Sequence, residues 1–323
     1  MDLPTLSVIV PNYNHGRYLA VCLKAILAQS VKPIELIVLD DASTDNSVEV
    51  IRQFAAQSPL VRLVRNEKNL GVIRTLNKGL DLARGEYVFI QAADDEVLPG
   101  LLEKSLCLLA KYPQAGLSCT IGDWREEATG LNWHVGVGMA KTPSYLSPQQ
   151  MAALGRRGRL FIASHTVILK RSALIEAGKF ISELKQAIDW FSLYVVGFRY
   201  GICVVPEPLA VLNILPNSYY QRCQQDERGL RETFECILNL LHQPKYQDVV
   251  APIREGCAFY SFGFPMLKLL VSRREYRWFI TPSYLRLSLW HSFKSVVKRF
   301  IPAPLGNLYF RIAGYRTTPP AGI

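Results

Sequence analysis

The feature that most constrains the fold is a regular alternation of apolar runs and helical patterns in the first third of the chain. Strands are predicted at 6–10, 34–39, 61–64 and 86–90. Helices are predicted at 18–27, 47–54, 73–83 and 100–110. Gly85 is expected to cap the third helix, and Pro99 is expected at the first position of the fourth. Repeated β-α units of this kind predict an α/β fold with a mainly parallel sheet and helices on both faces.

A polar cluster follows each of these four strands. The clusters are Pro11-Asn12-Tyr13-Asn14, the run from Asp40-Asp41 to Asp45, Asn69-Leu70-Gly71, and Ala93-Asp94-Asp95. In open α/β sheets, ligands bind beyond the carboxyl ends of the strands. We therefore expect the four clusters to line one edge of the sheet.

The pattern changes along the rest of the chain. Strands are predicted at 161–169 and 202–205, a helix at 189–198, and a capping box at Ser147 and Gln150. From about residue 226 onward the patterns are helical. The chain is thus divided into a main domain at 1–220, with halves at 1–115 and 116–220, and a helical C-terminal region at 221–323.

Asp94 and Asp95 are the first candidates for chemistry. Adjacent carboxylates repel each other, and a hard divalent cation such as Mg²⁺ or Mn²⁺ offsets that repulsion while bridging them to a diphosphate. The alternative is a solvated acidic turn. Asp41 can accept an N–H from a nucleobase, and Tyr13 can stack on that base. The alternatives there are an Asx-turn and a packed loop aromatic.

The four clusters, in this order and at these separations, resemble the nucleotide-binding half of family-2 inverting glycosyltransferases with the GT-A fold. The resemblance covers about residues 5–220, so the halves of the main domain become a nucleotide-binding half and an acceptor half. It implies a nucleotide-sugar donor linked to UDP, dTDP or GDP, and Mg²⁺ or Mn²⁺ as cofactor. The implied donor site is Pro11, Asn12, Tyr13, Asp41, Gly71, Arg74 and Asp94, with Asp95 as the direct metal ligand beside Asp94.

Two positions depart from the family pattern. Many relatives carry a further aspartate where this chain has Ala92, which bears on how tightly the free protein holds the ion. Many also carry an arginine where this chain has Leu76.

The run from Lys170 to Ala210 resembles the acceptor half of the same family. The resemblance implies that Asp189 is the catalytic base that takes the proton from the attacking hydroxyl. A plain helix N-cap is the alternative. Trp190 is expected to face an acceptor sugar, or else to lie in the core, and His165 is expected to line the acceptor pocket, or else to be structural.

The C-terminal region is basic and aromatic. From Arg254 to the end there are eleven lysines and arginines and two glutamates, a balance of +9. Helical spacing over 283–301 places Lys294, Lys298 and Arg299 on a polar side, with Trp278, Phe279, Trp290 and Phe293 as anchors for an anionic membrane surface. The alternative is a helical subdomain whose aromatic residues pack on the core. No nucleic-acid motif is present.

Seven scattered cysteines without a C-x-x-C pair indicate reduced thiols, and no signal peptide or membrane span is predicted. The expected setting is cytoplasmic, on the inner face of the cytoplasmic membrane. The C-terminal region suits a lipid-linked saccharide acceptor, and the resemblance alone suggests bacterial cell-envelope polysaccharide biosynthesis. Two other functions remain open. One is a catalytically silent scaffold, and the other is a nucleotidyltransferase, although Pro11–Gly16 lacks that class's glycine-rich basic loop. A dinucleotide dehydrogenase is disfavoured because no G-x-G-x-x-G follows the first strand.

Overall fold

The computed structural model describes residues 2–215 and 226–300. Its first third contains four parallel strands in the order β3-β2-β1-β4. The strands are β1 (Leu6–Asn12), β2 (Glu35–Asp40), β3 (Val61–Arg65) and β4 (Tyr87–Ile90). The helices between and after them are α1 (Gly16–Leu27), α2 (Ser47–Gln57), α3 (Val72–Leu82) and α4 (Leu101–Lys111). The predicted β-α alternation is confirmed, and β1 and β2 are almost wholly buried.

The same sheet continues beyond β4 through β9, β6, β10 and β5. Here the pairing is mixed, because β10 runs parallel to β6 while β9 and β5 run antiparallel to their neighbours. The added strands are β5 (Glu96–Val97), β6 (Leu117–Glu126), β7 (Leu131–Val135), β8 (Ser144–Leu146), β9 (Ile168–Lys170) and β10 (Ile202–Ile214).

The remaining helices cover the acceptor half and then form the C-terminal region. They are α5 (Pro148–Arg156), α6 (Arg171–Glu176), α7 (Ile188–Tyr200), α8 (Glu227–Leu241), α9 (Gln247–Glu255), α10 (Gly263–Ser272) and α11 (Pro282–Phe300). The capping box at Ser147 and Gln150 is present. The predicted domain boundary at 220 lies outside the described residues.

Three local predictions are wrong. α4 begins at Leu101 after Gly100, whose φ of 92° suits glycine, so Pro99 lies before the helix. α3 ends at Leu82, and Gly85 instead packs against the backbone of β1 and donates its amide to the hydroxyl of Ser7. The predicted strand at 161–169 shrinks to β9.

The C-terminal region packs against the acceptor half in one continuous apolar core. That core holds side chains of α5 and α7 together with side chains of the helices that follow residue 226. No helix in the described part of the chain combines the length and the apolar content that crossing a bilayer requires.

The described side chains that α11 presents to solvent are mostly apolar. Trp278, Trp290 and Phe293 are exposed, as expected of membrane anchors, but Phe279 is buried against Phe259. Lys294 is partly buried. The side chains of Lys298 and Arg299 lie outside the described part of the structure, as do residues 301–323.

Candidate active site

The loops after β1 and β2 are fastened to each other by the polar residues of their motifs. The side-chain amide of Asn12 donates to Asp40 and to Ser43, each at 3.1 Å. The backbone amide of Asn14 also donates to Ser43, at 3.0 Å, and the side-chain oxygen of Asn14 accepts from Thr44. Asn12, one of the predicted donor-site residues, is therefore buried and holds the loop.

Tyr13 is the side chain that this loop leaves free. The residue is 45% exposed, although it directly follows a buried strand residue. Pro11 is partly buried at the end of β1. The chain behind them is packed closely, because a Cβ on Gly16 would lie 2.1 Å from the side chain of Asn46. The arrangement presents an aromatic face at the edge of the sheet where a base is expected.

Asp41 organises the start of α3. One of its carboxylate oxygens accepts from the amide of Leu70 and from Asn66, both at 2.8 Å, and the other accepts from the amide of Gly71 at 2.9 Å. Gly71 precedes α3 with a φ of 83°, and Arg74 is exposed on the first turn. Asp41 thus positions the loop that carries Gly71 and Arg74.

Asp94 and Asp95 follow β4 at the same edge of the sheet. The Asp95 side chain is buried, and burial, followed by the charge of Asp94, raises its pKa well above the usual range. Asp94 is more open, with 21% of its side chain exposed and one oxygen 3.9 Å from Nδ1 of His15. A divalent cation can offset the repulsion between two adjacent carboxylates of this kind.

Asn213, at the end of β10, holds both acids and was missed by the sequence analysis. Its backbone amide donates to Asp95 Oδ1 at 3.0 Å, and its side chain donates to the backbone carbonyl of Asp94 at 2.7 Å. The contact joins residues more than a hundred positions apart, so no local pattern indicates it.

Asp189 lies in the first turn of α7 and is partly buried. Burial raises the pKa of its carboxyl group, and a hydrogen bond with the side chain of Ser164 acts in the opposite direction. The chain enters this helix through a 3-10 turn in which Lys185 has a φ of 47°. Ser164 is a second residue that sequence reasoning did not select.

His165 follows Ser164 in a 3-10 turn and is buried. Burial lowers the pKa of its imidazole to about 3, with the backbone of Ala210 partly opposing that effect. A Cβ on Gly122 would lie 2.5 Å from its ring, so the imidazole fits only against glycine. A ring that stays neutral in the physiological range can shape a pocket but does not supply a proton.

Strand β10 links the two parts of the site. Ala210 lies against His165, next to the serine that contacts the base, and Asn213 lies against Asp95. Three residues of strand span about 10 Å. The end of β10 therefore contacts both the loop of the acid pair and the turn beside the catalytic base candidate.

Trp190 lies in an aromatic cluster. Its ring stacks on Tyr194 with centroids 4.8 Å apart, and the rings of Phe262 and Phe259 lie at 4.9 and 5.4 Å. These neighbours occupy much of the ring, so Trp190 joins α7 to the C-terminal region. Its expected contact with an acceptor sugar stays a prediction.

The candidate metal ligands can be compared with the coordination that Mg²⁺ prefers. The described residues contain no group of three or more histidine, cysteine, aspartate or glutamate side chains arranged around one point. Mg²⁺ commonly takes one or two carboxylates and completes its shell with phosphate oxygens and water. Asp94 and Asp95 fit that pattern, with Asn213 fixing the loop that carries them.

The sequence of the chain is similar to those of several known proteins. A family model described as Glycosyl transferase family 2 matches residues 7–178. The chain is 31% identical over 191 residues to the uncharacterized glycosyltransferase YibD of Escherichia coli, an alignment covering 57% of this chain and 54% of that protein. The alignments span a third to two thirds of the length of several curated relatives.

Two solved structures share the fold. One is S. aureus TarS 1–349 in complex with UDP-GlcNAc, with a TM-score of 0.60 and 19% identity over 96% of this chain and 87% of that chain. The other is the mannosyltransferase PcManGT from Pyrobaculum calidifontis in complex with GDP-Man and Mn²⁺, with a TM-score of 0.56 and 20% identity over 92% and 87%. At 19% and 20% identity, the similarity to these two structures shows a shared fold.

Proposed function

This chain belongs to glycosyl transferase family 2, and we propose that it transfers a sugar, with inversion, from a UDP-, dTDP- or GDP-linked donor to an acceptor hydroxyl. Its fold is of the GT-A type. The observation that carries the proposal is the Asp94–Asp95 pair held by Asn213 at the end of β10, and we propose that Asp189 faces the same site.

The donor side uses the edge formed by the first three strands. Tyr13 offers a free aromatic face for the base, and the loop held by Asp41 presents Gly71 and the first turn of α3. Arg74, exposed on that turn, is suited to the negative charge of a diphosphate. The Asp41 oxygen that accepts only from Gly71 keeps a lone pair for an N–H of the base.

Asp95 and Asp94 would hold the divalent cation, which when bound stabilises the negative charge of the departing diphosphate. The structural neighbour PcManGT was solved with GDP-Man and Mn²⁺, which supports the choice of metal. Asn213 keeps the two acids in place before any ligand arrives.

Asp189 accepts the proton of the attacking hydroxyl. The acceptor oxygen then forms a bond to the anomeric carbon while the bond to the diphosphate oxygen breaks, and the electron pair leaves with the diphosphate. A single displacement from the side opposite the leaving group inverts the configuration. Partial burial suits this role, because a raised pKa makes the carboxylate a better base.

The acceptor is proposed to be a saccharide, and specifically a lipid-linked one used in cell-surface polysaccharide biosynthesis. The protein would act on the inner face of the cytoplasmic membrane. Support comes from the basic, aromatic C-terminal region, which packs directly on the acceptor half.

The test is donor turnover measured by mass spectrometry. The purified protein is incubated with UDP-, dTDP- and GDP-sugars, with Mn²⁺ or with EDTA, and with water or a saccharide as acceptor. We expect release of one nucleoside diphosphate that requires the metal and Asp189. If no donor is consumed and no nucleotide binds, the proposal fails and the catalytically silent alternative is supported.

A further inference from the structure

The solvent-facing side of α11 is apolar. Seven described side chains on this helix are exposed, and among them Arg286 is the one that carries a charge. Phe293 is 58% exposed and Trp290 is 54% exposed. The spacing i, i+4, i+8 and i+11 puts four of the apolar residues on one stripe, which Trp290 widens. The apolar residues of this surface, called here the α11 face, are Leu285, Leu289, Trp290, Phe293 and Val296.

The α11 face is exposed although the helix itself is firmly docked. Tyr284 and Leu287 are buried on its inner side, and the side chain of Leu287 would meet a Cβ on Gly158 at 2.7 Å. Arg286 donates to the backbone carbonyl of Arg156 at the end of α5. The outward apolar stripe is therefore a property of the packed helix. Over 19 residues the helix is about 28 Å long.

Two basic residues, Lys294 and Arg286, lie beside this surface. Lys294 lies 6.0 Å from the ring centre of Trp290, and Arg286 projects beside the stripe. Just before α11 in the chain, the exposed ring of Trp278 has Arg254 4.5 Å from its centre. A second copy docked here would bring two basic rims together, whereas an anionic bilayer matches both the charge and the apolar stripe.

We propose that the α11 face docks onto an anionic lipid bilayer, with Trp290 and Phe293 entering the interface and the basic residues contacting lipid headgroups. This inference rests on the proposed function for its account of why the docking is useful. The α11 face would bring the site to a lipid-linked acceptor in the bilayer.

A short chain of contacts connects this surface to the catalytic base candidate. Trp190, next to Asp189, packs against Phe262. Gly263 follows Phe262 and lies against His291 of α11, where an added Cβ would be 3.3 Å from the ring. The inner side of α11 is therefore linked to α7 through the residues that begin α10.

The experiment is vesicle co-sedimentation of the full chain. Vesicles of phosphatidylcholine alone are compared with vesicles containing phosphatidylglycerol, at low and high salt. The variants are the double substitution Leu289→Gln with Phe293→Gln, and Trp290→Ser. Val21→Gln is the matched control, because Val21 is an equally exposed apolar residue on α1, at 58%. Circular dichroism and sedimentation velocity report folding and oligomeric state.

We expect the native chain and Val21→Gln to bind anionic vesicles in a salt-sensitive way. Both α11-face variants should bind more weakly by about ten-fold or more, while remaining folded. Donor hydrolysis in the absence of vesicles should be unchanged, so failure of this inference is separable from failure of the proposed function.

Three results would overturn the inference. One is vesicle binding that the α11-face variants do not reduce. Another is a concentration-dependent oligomer that disappears in these variants, which assigns the face to a second copy. The third is a native chain that does not bind vesicles until residues 301–323 are deleted. That result would mean that the C-terminal end of the chain covers the α11 face.

Discussion

The backbone amide of Asn213 donates to a carboxylate oxygen of Asp95 across 3.0 Å, although the two residues lie 118 positions apart in the chain. The side chain of Asn213 adds a second bond, to the backbone of Asp94. The end of β10 thus fixes the loop that we assign to metal binding.

We therefore expect Asn213→Ala to weaken binding of a Mn²⁺–nucleoside diphosphate complex about ten-fold. The substitution removes the side-chain hydrogen bond to the backbone of Asp94, so the two carboxylates are held less firmly. Titration calorimetry measures this change in affinity. Asn132→Ala, on β7 and separated from Asn213 by β6, is the matched control and should bind normally. Equal affinities for the two variants would show that Asn213 does not position the acids.

Asp189→Asn should reduce transfer by about 10²- to 10⁴-fold while leaving nucleotide affinity nearly unchanged, because the change removes only the proton acceptor. The native rate should rise with pH as Asp189 loses its proton, and this limb should be absent from the variant. A variant that keeps most of its activity would exclude Asp189 as the base.

The same substitution has an expected effect on stability. A carboxyl group whose folded pKa is raised stabilises the fold below its unfolded pKa, and that contribution is lost as pH rises through the folded pKa. The amide that replaces the carboxyl group carries no charge, so the variant should be no less stable than the native protein at neutral pH. Its stability relative to the native protein should grow from acidic to neutral pH. Thermal unfolding across pH tests this; a variant that is destabilised at neutral pH would contradict it.

Gly122→Ala should lower the free energy of unfolding by about 1–3 kcal/mol, because the new methyl group meets the ring of His165. In a His165→Ala background the same change should have a smaller effect. Urea unfolding of the four proteins gives the coupling. Additive effects would mean that the two residues do not press on each other.

Asp41→Ala should reduce the free energy of unfolding by about 3 kcal/mol, because three hydrogen bonds to a buried carboxylate are lost together. Asp81→Ala is the control: this acid on α3 pairs with Lys179 at the surface and should contribute at most about 1 kcal/mol. Urea unfolding of both variants measures the difference, and similar losses would contradict a structural role for Asp41.

The sequence predicted the β-α framework well because periodicity is local. Each of the first four strands and helices has a regular apolar pattern, and the structure reproduces all of them within a few residues. The strand predicted over 161–167 is absent because a tertiary contact interrupts the apolar run. The hydroxyl of Thr166 donates to the backbone carbonyls of Ala163 and Thr120, and the chain turns there before β9.

The site was only partly predictable for the same reason. Spacing selected Asp94 and Asp95, and family resemblance selected Asp189, but Asn213 and Ser164 act through contacts that the sequence does not display. For α11, the spacing indicated an amphipathic helix and left open which side docks. The structure answers that with Leu287 inside and Phe293 outside.

The most direct test of the central claim is calorimetric titration of the full chain with UDP, dTDP and GDP, each with Mn²⁺ and with EDTA, for the native protein and Asp95→Asn. We predict that a nucleotide binds the native protein in Mn²⁺, and that binding is lost in EDTA and in Asp95→Asn. Absence of binding by all three, or binding that neither EDTA nor the substitution changes, would contradict a metal-assisted donor site at Asp94 and Asp95.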